Sequence, residues 1–203
     1  MSTLLIASGN PGKLLELRAL LQTLSLTLID PATLQLELDV VETGADYAAN
    51  ASLKASTYAQ ASGLYTLADD SGLEVDALEG APGKHSARLA GPDRSDADRR
   101  RMLLDLLQPH PRPWTARFCC TVALAGPDGS IDLASGSCSG EIITEERGAG
   151  GFGYDPIFSV QDAGQTMAEL SMPEKNRISH RARAVQAILP ILKRRMGIQE
   201  EGT

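Results

Sequence analysis

The sequence predicts an α/β fold in which helices alternate with the strands of a mixed sheet. Short apolar runs such as 4–7 are typical of buried strands, and leucine-rich or alanine-rich segments with helical spacing follow them. The alternating segment 116–124, the turn at 126–129 and the apolar residues at 131–133 favour a hairpin. At 203 residues, the chain is long enough for one well-buried domain, or for one domain with an inserted lobe.

Four strands and two helices are predicted in the N-terminal part of the chain. The first helix carries leucines on one side, and the second is rich in alanine, begins at about Asp46 and ends at Gly63, a plausible C′ glycine. The second strand mixes apolar with acidic residues, and the third ends where two aspartates follow it. The predicted strands are 4–7, 34–41, 64–68 and 73–77, and the leucines are Leu14, Leu17, Leu20, Leu21 and Leu24.

Farther along the chain, an amphipathic helix is predicted over 96–107, capped by Ser95 or by the aspartate after it. The stiff proline-rich connector at 109–113 is the best candidate for a boundary between lobes. A final helix is predicted to begin at the capping box 171–174 and to kink at Pro190.

The composition excludes several classes of partner. A formal net charge of −7 argues against nucleic acid polymers and membranes, so a polyanionic ligand must meet a local cluster of Lys and Arg. Cys119, Cys120 and Cys138 have no CxxC spacing, which argues against structural zinc and favours a reducing cytoplasm. The N-terminus has no basic segment and no apolar stretch reaches membrane-spanning length, so we expect a soluble protein without a signal peptide.

Two adjacent carboxylates, Asp69 and Asp70, follow the predicted strand 64–68 directly. Side chains alternate along an extended chain, so only one of the two can point into a given cleft. A carboxylate at the edge of a core needs a cation or hydrogen-bond donors, and a bound magnesium ion would satisfy it. Residues 70–72 also favour an Asp-Ser-Gly turn, and the run alone leaves both interpretations open.

A glycine-containing loop at 8–13 connects the first strand to the first helix. Its spacing is not that of a Walker A motif, but backbone N–H groups at a helix N-terminus still attract an anion. Lys13 adds a charge, and Ser8 and Asn10 add donors, so we predict phosphate binding over an ordinary glycine-rich connection. Glu42, between a strand and a helix, is either a second magnesium ligand or a solvated acid.

The segment 150–156 places two aromatic residues among glycines in a chain with only 4% aromatic residues. Such a ring beside a carboxylate suits a purine pocket, and for Tyr154 an anchor that packs the loop on the core is an equal alternative. The segment 174–181 concentrates positive charge near a helix start. Its donors, Lys175, His180 and Arg181, would accept a 6-oxo purine and disfavour a 6-amino one, unless they form a solvated basic face.

Together these runs resemble the inosine triphosphate pyrophosphatase family over nearly the whole chain. The matching segments are SGNPGK at 8–13, ETG at 42–44, ADDSGLEVDAL at 68–78, GAPG with SAR at 80–88, GGFGYDPIF at 150–158 and EKNRISHRARA at 174–184. The resemblance implies an elongated two-lobed fold with a cleft between the lobes, and a homodimer. It also implies magnesium-dependent cleavage of ITP, dITP and XTP to the monophosphate and pyrophosphate.

The resemblance also assigns roles residue by residue. Asp70 would be the catalytic acid/base and, with Glu42, a metal ligand, while Asp69 would support it from the other face of the strand. The remaining matches would bind the substrate: Ser8, Gly9, Asn10, Pro11, Gly12, Lys13 and Ser71 at the triphosphate end, and Phe152, Gly153, Tyr154, Asp155, Lys175, His180 and Arg181 at the nucleoside.

The chain departs from the family pattern at several positions. Ser8 replaces a frequent Thr but keeps the hydroxyl, whereas Val41 and Ala49 replace acids and thin the surroundings of the metal. Lys84 and His85 replace residues that are usually apolar or aromatic. Two alternatives to the expected activity are a pyrophosphatase for modified pyrimidine triphosphates and a nucleotide sensor that does not hydrolyse its ligand.

Overall fold

The computed structural model describes residues 2–198, and these form an α/β fold with a mixed seven-stranded sheet. The strand order is β2-β1-β3-β5-β6-β7, with β4 paired to β3, where the strands are β1 (Ser2–Ile6), β2 (Leu26–Ile29), β3 (Tyr65–Val75), β4 (Pro82–Gly83), β5 (Trp114–Ala125), β6 (Ile131–Ile142) and β7 (Phe158–Val160). β1 runs parallel to both β2 and β3, whereas β4 is antiparallel to β3 and β7 is antiparallel to β6. The predicted fold class is confirmed.

Five α-helices flank the sheet in the described part of the chain: α1 (Pro11–Leu21), α2 (Tyr47–Ser62), α3 (Asp96–Leu107), α4 (Met172–Ile178) and α5 (His180–Met196). The predicted caps of three of them are present, including the capping box that Ser171 forms at the start of α4. Asp46 accepts a hydrogen bond at the start of α2, and Gly63 ends that helix with a φ of 68°. Ser95 forms a capping box at the start of α3. In residues 2–198, no helix is long and apolar enough to cross a membrane.

The chain divides into two compact units. The first comprises the residues up to 70, residues 120–136 and those from 181 onward, and the second comprises residues 71–119 and 137–180. β3, β5 and β6 each contribute residues to both units. The proline connector at 109–113, which was the predicted lobe boundary, lies inside the second unit, because the chain passes from one unit to the other within strands and at the start of α5.

In the first unit, a layer of alanines lets α2 pack closely on the sheet. Ala51, Ala55 and Ala59 of α2 are fully buried against the alanines Ala7, Ala68, Ala123 and Ala125. Since alanine side chains are small, the polar residues on the same side of α2 come near the strand that carries Asp69 and Asp70.

The core of the second unit is built from larger side chains, among them Leu103 and Leu107 of α3 and an aromatic pair. Phe118 and Phe158 form this pair, with their ring centroids 4.5 Å apart. The packing fixes α3 against the strands of this unit.

Three element predictions are wrong. The predicted strand 34–41 is absent: Asp30 starts a 3₁₀ turn that ends at Leu34, accepting a hydrogen bond from the Thr33 amide at 3.0 Å, and the edge strand β2 precedes this turn instead. β3 does not end at Ala68, since it is 11 residues long and pairs with β4; of the two interpretations left open for residues 70–72, the structure excludes the turn. The final helix is broken at Ser179, whose backbone is extended, into α4 and α5.

Candidate functional site

The loop 8–13 lies where β1 gives way to α1, as predicted. Pro11 occupies the first turn of α1, and the Asn10 side chain accepts a hydrogen bond from the Lys13 amide at 3.1 Å. Ser8 is buried and accepts from the Asn10 amide at 3.3 Å, whereas Gly9 is exposed. The loop therefore offers the N-terminal end of a helix of 11 residues to an anion.

Asp69 and Asp70 lie just beyond the end of β1, on the same edge of the sheet as this loop, because Ile6 is in register with Leu67. Asp69 is completely buried. Its Oδ2 atom is 3.3 Å from Lys13 Nζ and accepts a hydrogen bond from Arg181 Nε at 3.1 Å. Lys13 thus connects the loop 8–13 to Asp69.

The buried charges around Asp69 compensate one another. Burial by itself would raise the pKa of Asp69, but the positive charges of Lys13 and Arg181 hold it well below its usual range. The Arg181 guanidinium also pairs with the buried carboxylate of Glu16. Asp69 is therefore a permanently ionised member of a structural ion-pair network.

Asp70 has different partners, in agreement with the alternation of side chains along β3. It is 5% exposed, and its Oδ2 atom accepts a hydrogen bond from Asn50 Nδ2 at 2.9 Å. Burial is the main reason that the pKa of Asp70 lies above its ordinary value; the charge of Glu42 raises it further, against the hydrogen bond from Asn50. Asp70 is the more basic of the two carboxylates.

Asn50 connects Asp70 to the segment 42–44. Its Oδ1 atom accepts a hydrogen bond from the Gly44 amide at 2.7 Å. A Cβ atom on Gly44 would lie 2.7 Å from Ala49 Cβ and 2.8 Å from the Asn50 amide nitrogen, so the backbone approaches α2 this closely only because residue 44 is glycine. One turn farther along α2, Lys54 Nζ lies 2.7 Å from Glu42 Oε1.

Asp70 and Glu42 are the residues that fit a metal ion. In the part of the chain that the structure describes, no group of three or more His, Cys, Asp or Glu side chains is arranged to hold one. Magnesium commonly takes only one or two protein carboxylates and completes its shell with water and phosphate oxygens. A buried carboxylate whose pKa is raised by burial and by a neighbouring acid is stabilised by such a cation, so this pair suits magnesium.

The second unit holds Phe152 in a tight loop. Asp155 Oδ2 accepts a hydrogen bond from the Phe152 amide at 2.9 Å and lies 2.6 Å from Lys175 Nζ, and both side chains of this pair are buried. Lys175 Nζ also lies 5.3 Å from the centroid of the partly exposed Phe152 ring. Gly151 has a φ of 70°, and a Cβ atom there would overlap the Asp155 carboxylate. An aromatic face and a cationic donor are therefore held side by side.

Burial bears on two interpretations that the sequence left open. Tyr154 is 4% exposed and donates a hydrogen bond to the Ser86 carbonyl at 2.8 Å, and burial raises the pKa of its hydroxyl. These contacts favour Tyr154 as an anchor of the loop. His180 is buried and stacks on Phe118, with ring centroids 4.8 Å apart. Ser71 follows Asp70 in β3 and is partly buried.

The Arg181 side chain contacts buried carboxylates, and its role as a donor to the base stays a prediction. The guanidinium contacts Asp69 and Glu16 in the first unit, whereas His180 belongs to the second unit. The two residues stand at the start of α5, where the chain passes from one unit to the other, and their side chains take different partners.

A sequence model of the Ham1 family matches residues 4–191, which is most of the chain. The chain belongs to the Ham1 family. This finding confirms the resemblance that the motifs suggested, because curated relatives of this Ham1-family chain are named dITP/XTP pyrophosphatase. The protein of that name from Desulforamulus reducens is 46% identical over 192 residues, which cover 94% of this chain and 96% of its own. The one from Thermus thermophilus is 46% identical over 190 residues, which cover 93% and 90% of the two chains.

Solved structures agree with the fold of this Ham1-family chain. A HAM1 protein from Coxiella burnetii superposes with a TM-score of 0.86 at 39% identity, covering 96% of this chain and all of that one (100%). A nucleoside-triphosphatase / dITP/XTP pyrophosphatase from Mycobacterium abscessus gives a TM-score of 0.73 at 40% identity, with coverages of 93% and 99%.

The sequence analysis missed three residues that surround Asp69, Asp70 and Glu42. They are Glu16, Asn50 and Lys54. Glu16 lies on α1 among leucines and looks like an ordinary surface acid, so only its buried contact with Arg181 reveals it. Asn50 and Lys54 do carry a signal. They precede Ala51 and Ala55, so they share the four-residue spacing of the buried alanine stripe of α2.

Proposed function

We propose that this Ham1-family protein hydrolyses non-standard purine nucleoside triphosphates, namely ITP, dITP and XTP, to the nucleoside monophosphate and pyrophosphate. The names of the curated relatives support this activity. The observation that carries the proposal is Asp70, a buried carboxylate with a raised pKa that Asn50 orients beside the anion loop of α1. A triphosphate needs both an anion site and a base positioned for attack at phosphorus.

Asp70 and Glu42 would hold a magnesium ion, which when bound supplies Lewis-acid stabilisation of the phosphate charge. Lys54 pairs with Glu42 and limits the repulsion between the acids. We expect chelation of divalent cations by EDTA to abolish turnover, and added magnesium to restore it.

Asp70 acts as the general base. The hydrogen bond from Asn50 fixes the direction of the carboxylate that accepts the proton. The carboxylate takes a proton from a water molecule, the water oxygen bonds to the α-phosphorus, and the bond from that phosphorus to the oxygen shared with the β-phosphate breaks. Pyrophosphate leaves with the bridging oxygen.

The loop 8–13 binds the triphosphate. The amides at the start of α1 donate to phosphate oxygens, Ser8 and Asn10 lie in the same loop, and Lys13 supplies a charge within reach. The ion pair with Asp69 orients Lys13 before the phosphates bind. The ion pair between Arg181 and Asp69 compensates the charge of this aspartate.

The second unit recognises the base. Phe152 offers the stacking surface, and Lys175, held by Asp155, donates to the 6-oxo group together with His180. Tyr154 and the glycines around it hold the loop that carries Phe152. Ser71 follows the general base Asp70 in β3. A 6-amino group also carries donors, so it cannot pair with these residues.

This base recognition predicts a preference that is directly measurable. We expect kcat/KM for ITP and XTP to exceed that for ATP by at least about 100-fold, because the 6-amino group leaves the donors unpaired. Initial rates of pyrophosphate release across a panel of purine and pyrimidine triphosphates test it. Equal rates on ITP and ATP would contradict the 6-oxo recognition, and a higher rate on a modified pyrimidine triphosphate would replace the proposed substrate class.

Product analysis tests the reaction itself. The protein is incubated with ITP and magnesium, and inosine monophosphate, pyrophosphate and orthophosphate are quantified. Equal amounts of the monophosphate and pyrophosphate are expected. Tight binding without hydrolysis would mean that the protein is a nucleotide sensor, and release of single orthophosphates would mean that a different bond is cleaved.

Asn50 should matter for catalysis although it does not contact the phosphates in this proposal. Asn50→Ala removes the group that orients Asp70, and we expect kcat for ITP to fall by about 10- to 100-fold, since small misplacements of a catalytic group are costly. The matched control is Gln60→Ala, at an exposed position of the same helix. Unchanged kcat in Asn50→Ala would show that Asp70 does not depend on this hydrogen bond.

Two finer expectations come from the family resemblance. We propose that the protein is cytoplasmic and that it forms a homodimer. Light scattering of the purified protein is expected to give twice the mass of one chain, and the mass of a single chain would rule out the dimer.

A further inference from the structure

The first turn of α3 holds the backbone of Gly153, the residue after Phe152. Asp96 Oδ2 accepts a hydrogen bond from the Gly153 amide at 2.7 Å. Arg100 donates from its NH1 group to the Gly153 carbonyl at 2.8 Å. Both polar backbone groups of Gly153 are thus bound by charged side chains of one helix, which lies outside every motif that the sequence analysis singled out for chemistry.

The two side chains are themselves fixed. Asp96 follows the Ser95 cap at the positive end of α3 and lies 2.5 Å from Arg99 NH1. Arg100 is 12% exposed and forms a two-pronged ion pair with Glu146, with its Nε and NH2 atoms 2.8 and 2.9 Å from the two carboxylate oxygens. The helix cannot shift easily, because Leu103 and Leu107 are buried in the core of the second unit.

Hydrogen bonds therefore fix the backbone at Phe152 and at the residue that follows it. Asp155 binds the Phe152 amide, and α3 binds the next residue. Gly153 has a φ of 63°. Because a glycine can adopt many other backbone conformations, the loop has to restrict it to this one. The hydrogen bonds from α3 oppose this freedom at the position that sets the direction of the Phe152 ring.

We propose that Asp96 and Arg100 are positioning residues that hold the Phe152 loop ready for the nucleobase, and so set the affinity for the base. This inference rests on the proposed function, in which Phe152 stacks on the base. A loop that is already ordered does not have to lose conformational freedom when the ligand binds, so the contribution appears in substrate binding. The groups assigned to bond cleavage lie in the first unit, and kcat should change little.

Steady-state kinetics with ITP and ATP test the proposal. For Asp96→Ala and Arg100→Ala, we expect KM for ITP to rise about tenfold while kcat stays within about twofold, which is the pattern of lost binding without lost chemistry. ATP does not make all of the base contacts, so its KM should rise less than that for ITP. Arg101→Ala is the matched control, since Arg101 is on the same helix with 74% of its side chain exposed.

Two milder variants distinguish a loss of loop positioning from a folding defect. Asp96→Asn keeps an oxygen that can accept from the Gly153 amide, so its KM should lie closer to that of the wild type than the KM of Asp96→Ala. Glu146→Gln removes the charge partner of Arg100 but leaves the bond to the Gly153 carbonyl, and a small effect is expected. A purely structural role would lower the melting temperature of all variants without separating KM from kcat.

Hydrogen exchange of the ligand-free protein gives a readout besides activity. In Asp96→Ala, the amide of Gly153 should exchange at least about tenfold faster than in the wild type, while amides in β1 should not change. If the wild type does not release pyrophosphate from ITP, the proposed function fails, although the exchange result still reports on the loop. If the wild type is active, but both alanine variants keep its KM and its exchange rates, α3 does not position the loop and this inference is overturned.

Discussion

Asp70→Asn is expected to lower kcat for ITP by about 10²- to 10⁴-fold, the usual contribution of a positioned general base. The amide has nearly the same shape as the carboxylate, and its oxygen can still accept from Asn50 Nδ2. It cannot take a proton from water at neutral pH. The loss should therefore appear in kcat, as measured by pyrophosphate release at saturating ITP.

The same substitution should leave the fold intact or make it more stable. Burial raises the pKa of Asp70, which means that the folded state disfavours its ionised form, and a neutral amide removes this cost. Urea denaturation is the measurement. The matched control is Asp76→Asn, at an exposed aspartate that follows β3 and accepts a hydrogen bond from Thr115, and it should keep wild-type turnover. Near-normal turnover in Asp70→Asn would falsify the assignment of the general base.

Local signals in the sequence were sufficient for the parts of the site that neighbouring residues build. The loop 8–13 could be predicted because an apolar strand, a glycine-containing turn and a leucine-rich helix follow one another directly. The different partners of Asp69 and Asp70 also follow from the geometry of one extended strand. In each case, the backbone within a few residues along the chain decides the type of element or the direction of the side chain.

Signals that depend on distant partners were misread or missed. The Asp-Ser-Gly run at 70–72 has turn chemistry, but the chain stays extended there because β4 pairs with the later part of β3. Arg181 follows His180 directly, yet its direction is decided by Glu16, which is 165 residues away in the sequence. Propensity and motif order carry no information about such contacts.

Arg181→Met should be among the most destabilising substitutions in the chain. The side chain is 1% exposed and neutralises two buried carboxylates, Asp69 and Glu16. Removing one partner of a buried ion pair commonly costs about 3–5 kcal/mol in the free energy of unfolding, because the remaining charge is left without compensation. Urea denaturation measures the change, and Arg195→Met, which removes an exposed pair with Asp132, should have little effect.

A second substitution shows whether uncompensated charge is the cause. Glu16→Gln in the Arg181→Met background removes one of the two stranded carboxylates, so part of the lost stability should return, whereas Glu16→Gln alone should destabilise the wild type. If the double variant is as unstable as Arg181→Met, the loss comes from packing of the guanidinium and not from its charge. In that case Asp69 would not depend on Arg181 for its ionised state, and the charges of Lys13 and Lys54 would have to balance it.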